Sequence, residues 1–258
     1  MASVVVTTTV GPSPPLENRA RVLARRLGHR YVARRRLTLR VLLDRTDATA
    51  SLIVGDEALR YGVPGHAYGF HPNMARHRVA TIVAGGVDRL AKVAALTSGD
   101  RFLDCTCGLG ADAIVAAHVV GSAGVVEALE ANPILATLVE HGLRSYAHRD
   151  PALVRAMRRV RVRTTNYRDL LPTLGENSWD VVYLDPMFDR PVAATRSLDL
   201  VRRLAIRNRP TRDDIALARR VARRAVVIKD RAPGSLLQAL DVPVVSTSHR
   251  IWFGAVSA

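Results

Sequence analysis

The chain is poor in cysteine, lysine and aromatic residues, and each shortage removes a class of explanation. Its two cysteines, Cys105 and Cys107, are too few for a disulfide framework or a four-thiolate zinc site. Residues i and i+2 of a strand share a face but span poorly for a disulfide, so both are expected as small core-facing side chains. No apolar run approaches the roughly 20 residues needed to cross a bilayer. The first fifteen residues lack a basic start followed by a long apolar stretch; they read as a strand over 3–9 rather than a signal peptide, and a cytoplasmic location is expected. No segment joins a basic face to exposed Trp or Phe, which argues against a membrane surface as partner. Nor does the sequence show a metal site.

Acid is also scarce. Thirty-eight basic residues face 23 acidic ones, a net charge of +15, and only Lys92 and Lys229 are lysines. Such an excess favours polyanions, with nucleic acid as the expected partner. A 258-residue chain that is 48% hydrophobic can bury a sizeable core and suits one domain of ordinary size with a smaller addition.

Residues 1–70 read as the addition, a small basic α+β domain: a strand at 3–9, a helix from Leu16 to Leu27, a strand near Tyr31, a short helix from Leu37, and a hairpin across Gly55-Asp56. Eleven arginines there face five acids, and the groups Arg25-Arg26 and Arg34-Arg35-Arg36 suit a phosphate backbone. Gly65 to Gly69 reads as a flexible joint, and Pro72 opens a helix to about Ala84. From residue 71 to 258 the pattern alternates strand and helix, which predicts a doubly wound, mainly parallel, seven-stranded α/β sheet.

One stretch organises that second part. Phe102-Leu103-Asp104-Cys105-Thr106-Cys107-Gly108-Leu109-Gly110-Ala111-Asp112 is a short apolar run that stops at a carboxylate, passes two glycines and opens a helix. Glycine at 108 and 110 permits φ > 0 and brings backbone N–H groups to a helix N-terminus, which makes a cofactor cradle. The pattern also satisfies the relaxed dinucleotide fingerprint, with Glu130 about 20 residues on. Asp104 decides between the two cofactors: at the strand tip it would repel a pyrophosphate and attract the α-ammonium of S-adenosyl-L-methionine (SAM). Glu130 can accept the ribose hydroxyls, and Asn166 and Tyr167 can meet the adenine edge and face. Asp104, Glu130, Asn166 and Asp185 are all expected at strand ends, where such sheets bind ligands.

The second motif is Asp185-Pro186-Met187-Phe188, after the apolar strand Trp179 to Leu184. The lone pair of an exocyclic nucleobase amine is delocalised into the ring. A carboxylate and a backbone carbonyl that accept its two N–H bonds localise it, and an aromatic face holds the base flat. Asp185, the Pro186 carbonyl and Phe188 have the spacing of D/N-P-P-Y/F amino-methyltransferases, with Met187 in place of the second proline.

Asp104-x-Thr106-x-Gly108-Leu109-Gly110-x-Asp112, Leu129-Glu130-x-Asn132-Pro133, Val181 to Phe188 and Val226-Val227-Ile228-Lys229 together resemble the class I (Rossmann-like) SAM-dependent methyltransferases. More narrowly, the chain is similar to the family of the small-subunit ribosomal RNA guanine-N2 methyltransferase J and its Gram-positive relatives, over roughly residues 65 to 256. The resemblance implies methyl transfer from SAM to an RNA guanine amine. Asp185, Pro186 and Phe188 would be catalytic, and Asp104, Thr106, Gly108, Gly110, Asp112, Glu130, Asn166 and Asp185 would surround the cofactor. His71 and Asn73, in Phe70-His71-Pro72-Asn73-Met74, would stand near the reacting base. Lys229 would meet RNA phosphate or the base carbonyl, and Arg196, with Arg202, Arg203 and Arg207, would hold the RNA strand at the same mouth. The residues alone leave two other readings open: transfer to a small molecule or protein, and a non-catalytic RNA-binding assembly protein with a SAM-type fold.

Overall fold

A computed structural model of the chain describes residues 3–187, 203–204, 206 and 209–258. Among these residues the strands form two sheets.

The first sheet begins with β1 (Val4–Thr8), whose three consecutive valines are buried on both faces. Alternation sends Val4 and Val6 toward Leu16, Ala20 and Ala24 of α1 (Pro14–Leu27), and Val5 toward Leu42 and Leu43 of α2 (Leu39–Thr46). The limits of α1 follow from local chemistry. The Ser13 hydroxyl accepts the Leu16 N–H, Pro14 occupies the first turn, and Gly28 closes the helix at φ 68°. Strands β2 (Arg30–Tyr31) and β3 (Ala50–Val54) flank β1 in parallel, and β4 (Leu59–Val63) and β5 (His66–Gly69) continue the sheet antiparallel. The joint expected at Gly65 to Gly69 is therefore a strand. Val63 pairs with His66 across Pro64-Gly65, with Gly65 at φ 76°, the combination a two-residue Pro-Gly turn requires.

The second sheet follows α3 (Met74–Val83) and α4 (Arg89–Val93). Its strands are β6 (Arg101–Asp104), β7 (Val125–Glu130), β8 (Val160–Thr164), β9 (Trp179–Leu184), β10 (Ala222–Arg231), β11 (Val244–Ser246) and β12 (Ile251–Ser257), in the order β11-β12-β10-β9-β6-β7-β8. From β8 to β10 all neighbours are parallel, and β12 runs antiparallel to β10 and β11. This is the doubly wound, Rossmann-like sheet the alternation predicted. Successive residues feed opposite faces. Phe102, Ala128, Val181, Tyr183 and Val227 pack with α3, α4, α5 (Ala111–Val120), α6 (Pro133–Ser145) and α7 (Pro151–Arg159). Leu103, Leu129, Val182, Leu184 and Ile228 pack with α8 (Tyr167–Leu170), α9 (Arg212–Val221) and α10 (Ser235–Leu240). The chain leaves β6 toward β7 on one side and returns to β9 on the other. The crevice between the ends of β6 and β9 is thus the switch point at which such sheets bind ligands.

The two sheets share an apolar core through α6. A Cβ on Gly142 of α6 would meet Phe70 Cγ at 2.0 Å, so only glycine lets the segment after β5 dock there. Arg26 of α1 donates to the Thr137 hydroxyl of the same helix at 3.2 Å. Among the described residues no helix is long and apolar enough to cross a membrane.

Candidate active site

Asp104 is the last residue of β6 and stands in register with Tyr183 of β9, so Asp104 and Asp185 emerge from the same edge of adjacent parallel strands. Thr106 ties them together. Its N–H donates to Asp104 Oδ1 at 2.9 Å, and its hydroxyl oxygen accepts the Asp185 N–H at 2.6 Å. Beyond it the chain turns through Gly108 and Gly110, at φ 52° and 75°, and Gly110 caps α5. Glu130, at the end of β7, braces this turn: Oε2 accepts the Gly108 N–H at 3.2 Å and Oε1 the Asn132 N–H at 2.9 Å.

Asp104 and Glu130 are buried, and Asp104 also feels neighbouring carboxylates. Burial pushes the Asp104 carboxyl up to about 8, the Thr106 N–H opposes this, and the carboxylates of Asp112 and Asp185 reinforce it. Burial likewise raises Glu130 to about 7 against the N–H groups of Asn132 and Gly108. A cation placed beside Asp104 would be answered by an ionised carboxylate. The donor set therefore fits an ammonium and ribose hydroxyls and opposes a pyrophosphate, because acids hold this rim.

Behind the rim runs a chain of alternating charge. Asp112, in the first turn of α5, accepts from Arg78 of α3 at 2.5 Å, from Lys229 of β10 at 3.0 Å and from the Tyr183 hydroxyl at 3.0 Å. Arg78 also grips Asp88, the N-cap of α4, with contacts of 2.7 and 2.9 Å. At the other end the Lys229 ammonium reaches Asp185 Oδ2 at 2.7 Å. Burial drives the Asp112 carboxyl up, but Lys229 and Arg78 together hold it well below the usual carboxylate range. Lys229 is raised despite burial, because two carboxylates surround it. Asp185 remains above its ordinary value because burial outweighs Lys229.

The placement of Lys229 corrects an expectation. Its side chain is 19% exposed and its nitrogen lies between two carboxylates, so it faces into the protein and not toward RNA phosphate. Tyr167, expected against adenine, is packed in the core beneath β9, with its hydroxyl 3.4 Å from Asp214; apolar neighbours on α9 claim the ring. Asn166 lies just beyond β8, where its Oδ1 caps α8 by accepting the Arg168 N–H at 3.0 Å. His71 Nδ1 accepts the Asn73 N–H at 2.9 Å, and the imidazole packs edge-on against Tyr146. Asn73 opens α3 with φ 47° and makes no side-chain cap. Pro186 is buried and Met187 half-buried. Phe188, Arg196, Arg202 and Arg207 lie outside the described residues; Arg203 is exposed, and burial raises the Tyr61 hydroxyl of β4 while the charge of Arg203 opposes that rise. Arg78 and Asp88 carry no motif, and Tyr183 lies within the Val181 to Phe188 motif without having been singled out. Asp88 caps α4 by accepting the Leu90 and Ala91 N–H groups, and its partnership with Arg78 is long-range.

Three comparisons bear on this geometry. The family model described as "Putative SAM-dependent methyltransferase" matches residues 42–253. The "Uncharacterized protein YpiP" of Bacillus subtilis is 37% identical over 227 residues, 88% of each chain. "Ribosomal RNA small subunit methyltransferase J" of Thioalkalivibrio sulfidiphilus is 34% identical over 146 residues; the match spans 54% of this chain and 56% of that protein. Among solved structures, the SAM-dependent methyltransferase NGO1261 from Neisseria gonorrhoeae superposes with a TM-score of 0.65 at 21% identity, covering 98% of this chain and 95% of the other, which shows a common fold.

Proposed function

Because the chain belongs to the SAM-dependent methyltransferases, and S-adenosyl-L-methionine is accordingly its cofactor, we propose that it methylates the exocyclic amine of a guanine in small-subunit ribosomal RNA. The cofactor supplies an electrophilic methyl group on a sulfonium. In this reading Asp104 meets the ammonium of the methionine moiety, Glu130 the ribose hydroxyls, and the backbone of Gly108 to Gly110 lines the turn between them. Asp185 and the Pro186 carbonyl accept the two N–H bonds of the guanine amine and draw its lone pair out of the ring, and Phe188 stacks on the base. The proton that methylation makes surplus on the nitrogen passes to Asp185 Oδ1, since Oδ2 is engaged by Lys229.

The observation that carries the proposal is the pairing of Asp104 and Asp185 at the ends of adjacent parallel strands, linked through Thr106. The similarity to proteins named ribosomal RNA small subunit methyltransferase J, over about half of each chain, supports the substrate class, as does the net charge of +15. We assign residues 1–70 to holding the RNA backbone, with Arg25, Arg26, Arg35 and Arg36 exposed there. A paired target base would have to be flipped out.

The test is mass mapping of methylated nucleosides in ribosomal RNA from cells with and without the protein. The expected result is loss of one N2-methylguanosine from small-subunit RNA. Unchanged guanine methylation would overturn the substrate assignment.

A further inference from the structure

Two of the 38 basic residues of this chain are lysines, and among the described residues one of them is the basic residue in contact with Asp185. The last paired residues of β9 and β10 are Leu184 and Ile228, so Lys229 comes level with Asp185 one step further along the parallel ladder. Both side chains then fall on the face that carries Tyr183 and α5, where Asp112 waits. A single nitrogen serves two carboxylates there, at 2.7 and 3.0 Å. An ammonium does this as a compact point charge, whereas a guanidinium would spread its donors over a longer planar fork.

We propose that Lys229 is a positioning residue for methyl transfer: it fixes Asp185 as a carboxylate with Oδ2 turned toward β10, and Asp112, locked by Arg78 and Tyr183, holds the ammonium in place. This rests on the reading of Asp185 as the group that aligns the acceptor amine. Among the described residues, the groups facing Asp185 are Lys229 from β10, Asp112 from α5, Asp104 from β6 and Tyr183 from its own strand, with Arg78 of α3 behind Asp112. Without the ammonium, Asp104, Asp112 and Asp185 are left, among the described residues, with Arg78 as the neighbouring cation, and its contacts go to Asp112 and Asp88. Asp112 keeps two donors of its own, in Arg78 and Tyr183. Asp104 is already pushed up to about 8 by burial, so Asp185 is the acid whose charge state the ammonium decides, and a protonated carboxyl gives up acceptor capacity for N–H bonds.

The test is a carboxyl-carbon NMR titration of the full chain labelled at aspartate, with the Asp185 resonance identified by its loss in Asp185→Asn. In Lys229→Met the Asp185 midpoint rises by about one to three pH units, and in Lys229→Arg it stays near the wild-type value. The Lys229→Met/Asp112→Asn pair removes one charge of each sign, which guards against simple unfolding, and carries the same direction. Methyl transfer to small ribosomal subunits from cells lacking the protein supplies the second readout. Its acid limb in kcat moves up with the carboxyl in Lys229→Met, while Lys229→Arg keeps the wild-type pH profile at a lower rate. An Asp185 midpoint unmoved in both Lys229→Met and the paired variant, or a rate loss uniform in pH, would overturn the assignment. If the wild type fails to methylate the subunit, the guanine reading falls, and the titration still decides what Lys229 does.

Discussion

Asp104 and Asp185 are the same residue type on the same rim, one strand apart, and the protein treats them oppositely. Asp104 is met by the N–H and hydroxyl of Thr106, forms no salt bridge among the described residues, and is pushed up to about 8 by burial. Asp185 is met by an ammonium at 2.7 Å whose own position is secured by Asp112 and, through it, Arg78 and Asp88. The difference suits the two ends of a transfer reaction. An acid that receives a cationic cofactor gains its counter-charge from that cofactor, whereas an acid that orients a neutral amine must carry its counter-charge within the fold.

The largest expected effect comes from breaking the acceptor side. Asp185→Asn should lower methyl transfer to small ribosomal subunits by about 10²- to 10⁴-fold, read as incorporation of labelled methyl groups at saturating cofactor. Next comes the internal counter-charge: Arg78→Met leaves Asp88 and Asp112 buried with one cation fewer and should cost about 3–5 kcal/mol in a denaturant titration. The smallest effect sharpens the cofactor side. Asp104 and Glu130 have folded values near 8 and 7 against ordinary values of 3.8 and 4.5, so the folded state holds their protons more tightly than the unfolded chain. Both acids therefore reduce stability as pH rises from about 4 through about 8. Asp112 and Asp88, held low, act in the opposite sense: their contribution is present above about pH 4 and lost as pH falls. Urea midpoints between pH 5 and 8.5 should decline for the wild type and decline less for Asp104→Asn.

Much of this architecture was legible because local chemistry and global fold agree. Asn132-Pro133 and Asp150-Pro151 combine a side-chain cap with a proline in the first turn, and Thr211 and Asp214 form a capping box. Asp104, Glu130 and Asp185 were readable as strand ends because an apolar run that stops at an acid marks where a buried strand meets solvent. What escaped was non-local. Strand β5 was hidden by its glycines, because Gly69 and Gly65 suggest looseness whereas Pro64-Gly65 makes a tight turn. Cys105 and Cys107, read as sharing one strand face, are both buried but join different apolar clusters, because β6 ends at Asp104 and its alternation ends there too. The partners of Lys229 could not be read at all: Asp112 is 117 residues away in sequence, and only the closing of α5 over β9 and β10 brings it near.

The central claim, that the rim divides into a cofactor acid and an acceptor acid, is tested most directly by calorimetric titration of S-adenosyl-L-methionine into Asp104→Asn and Asp185→Asn side by side, at pH 7 in two buffers of different ionisation heat. The wild type should release protons on binding, as the ammonium ionises Asp104. Asp104→Asn should lose about 10- to 100-fold in affinity together with most of that proton release, and Asp185→Asn should bind much as the wild type does. Unchanged affinity in Asp104→Asn, or an equal loss in both variants, would contradict the claim.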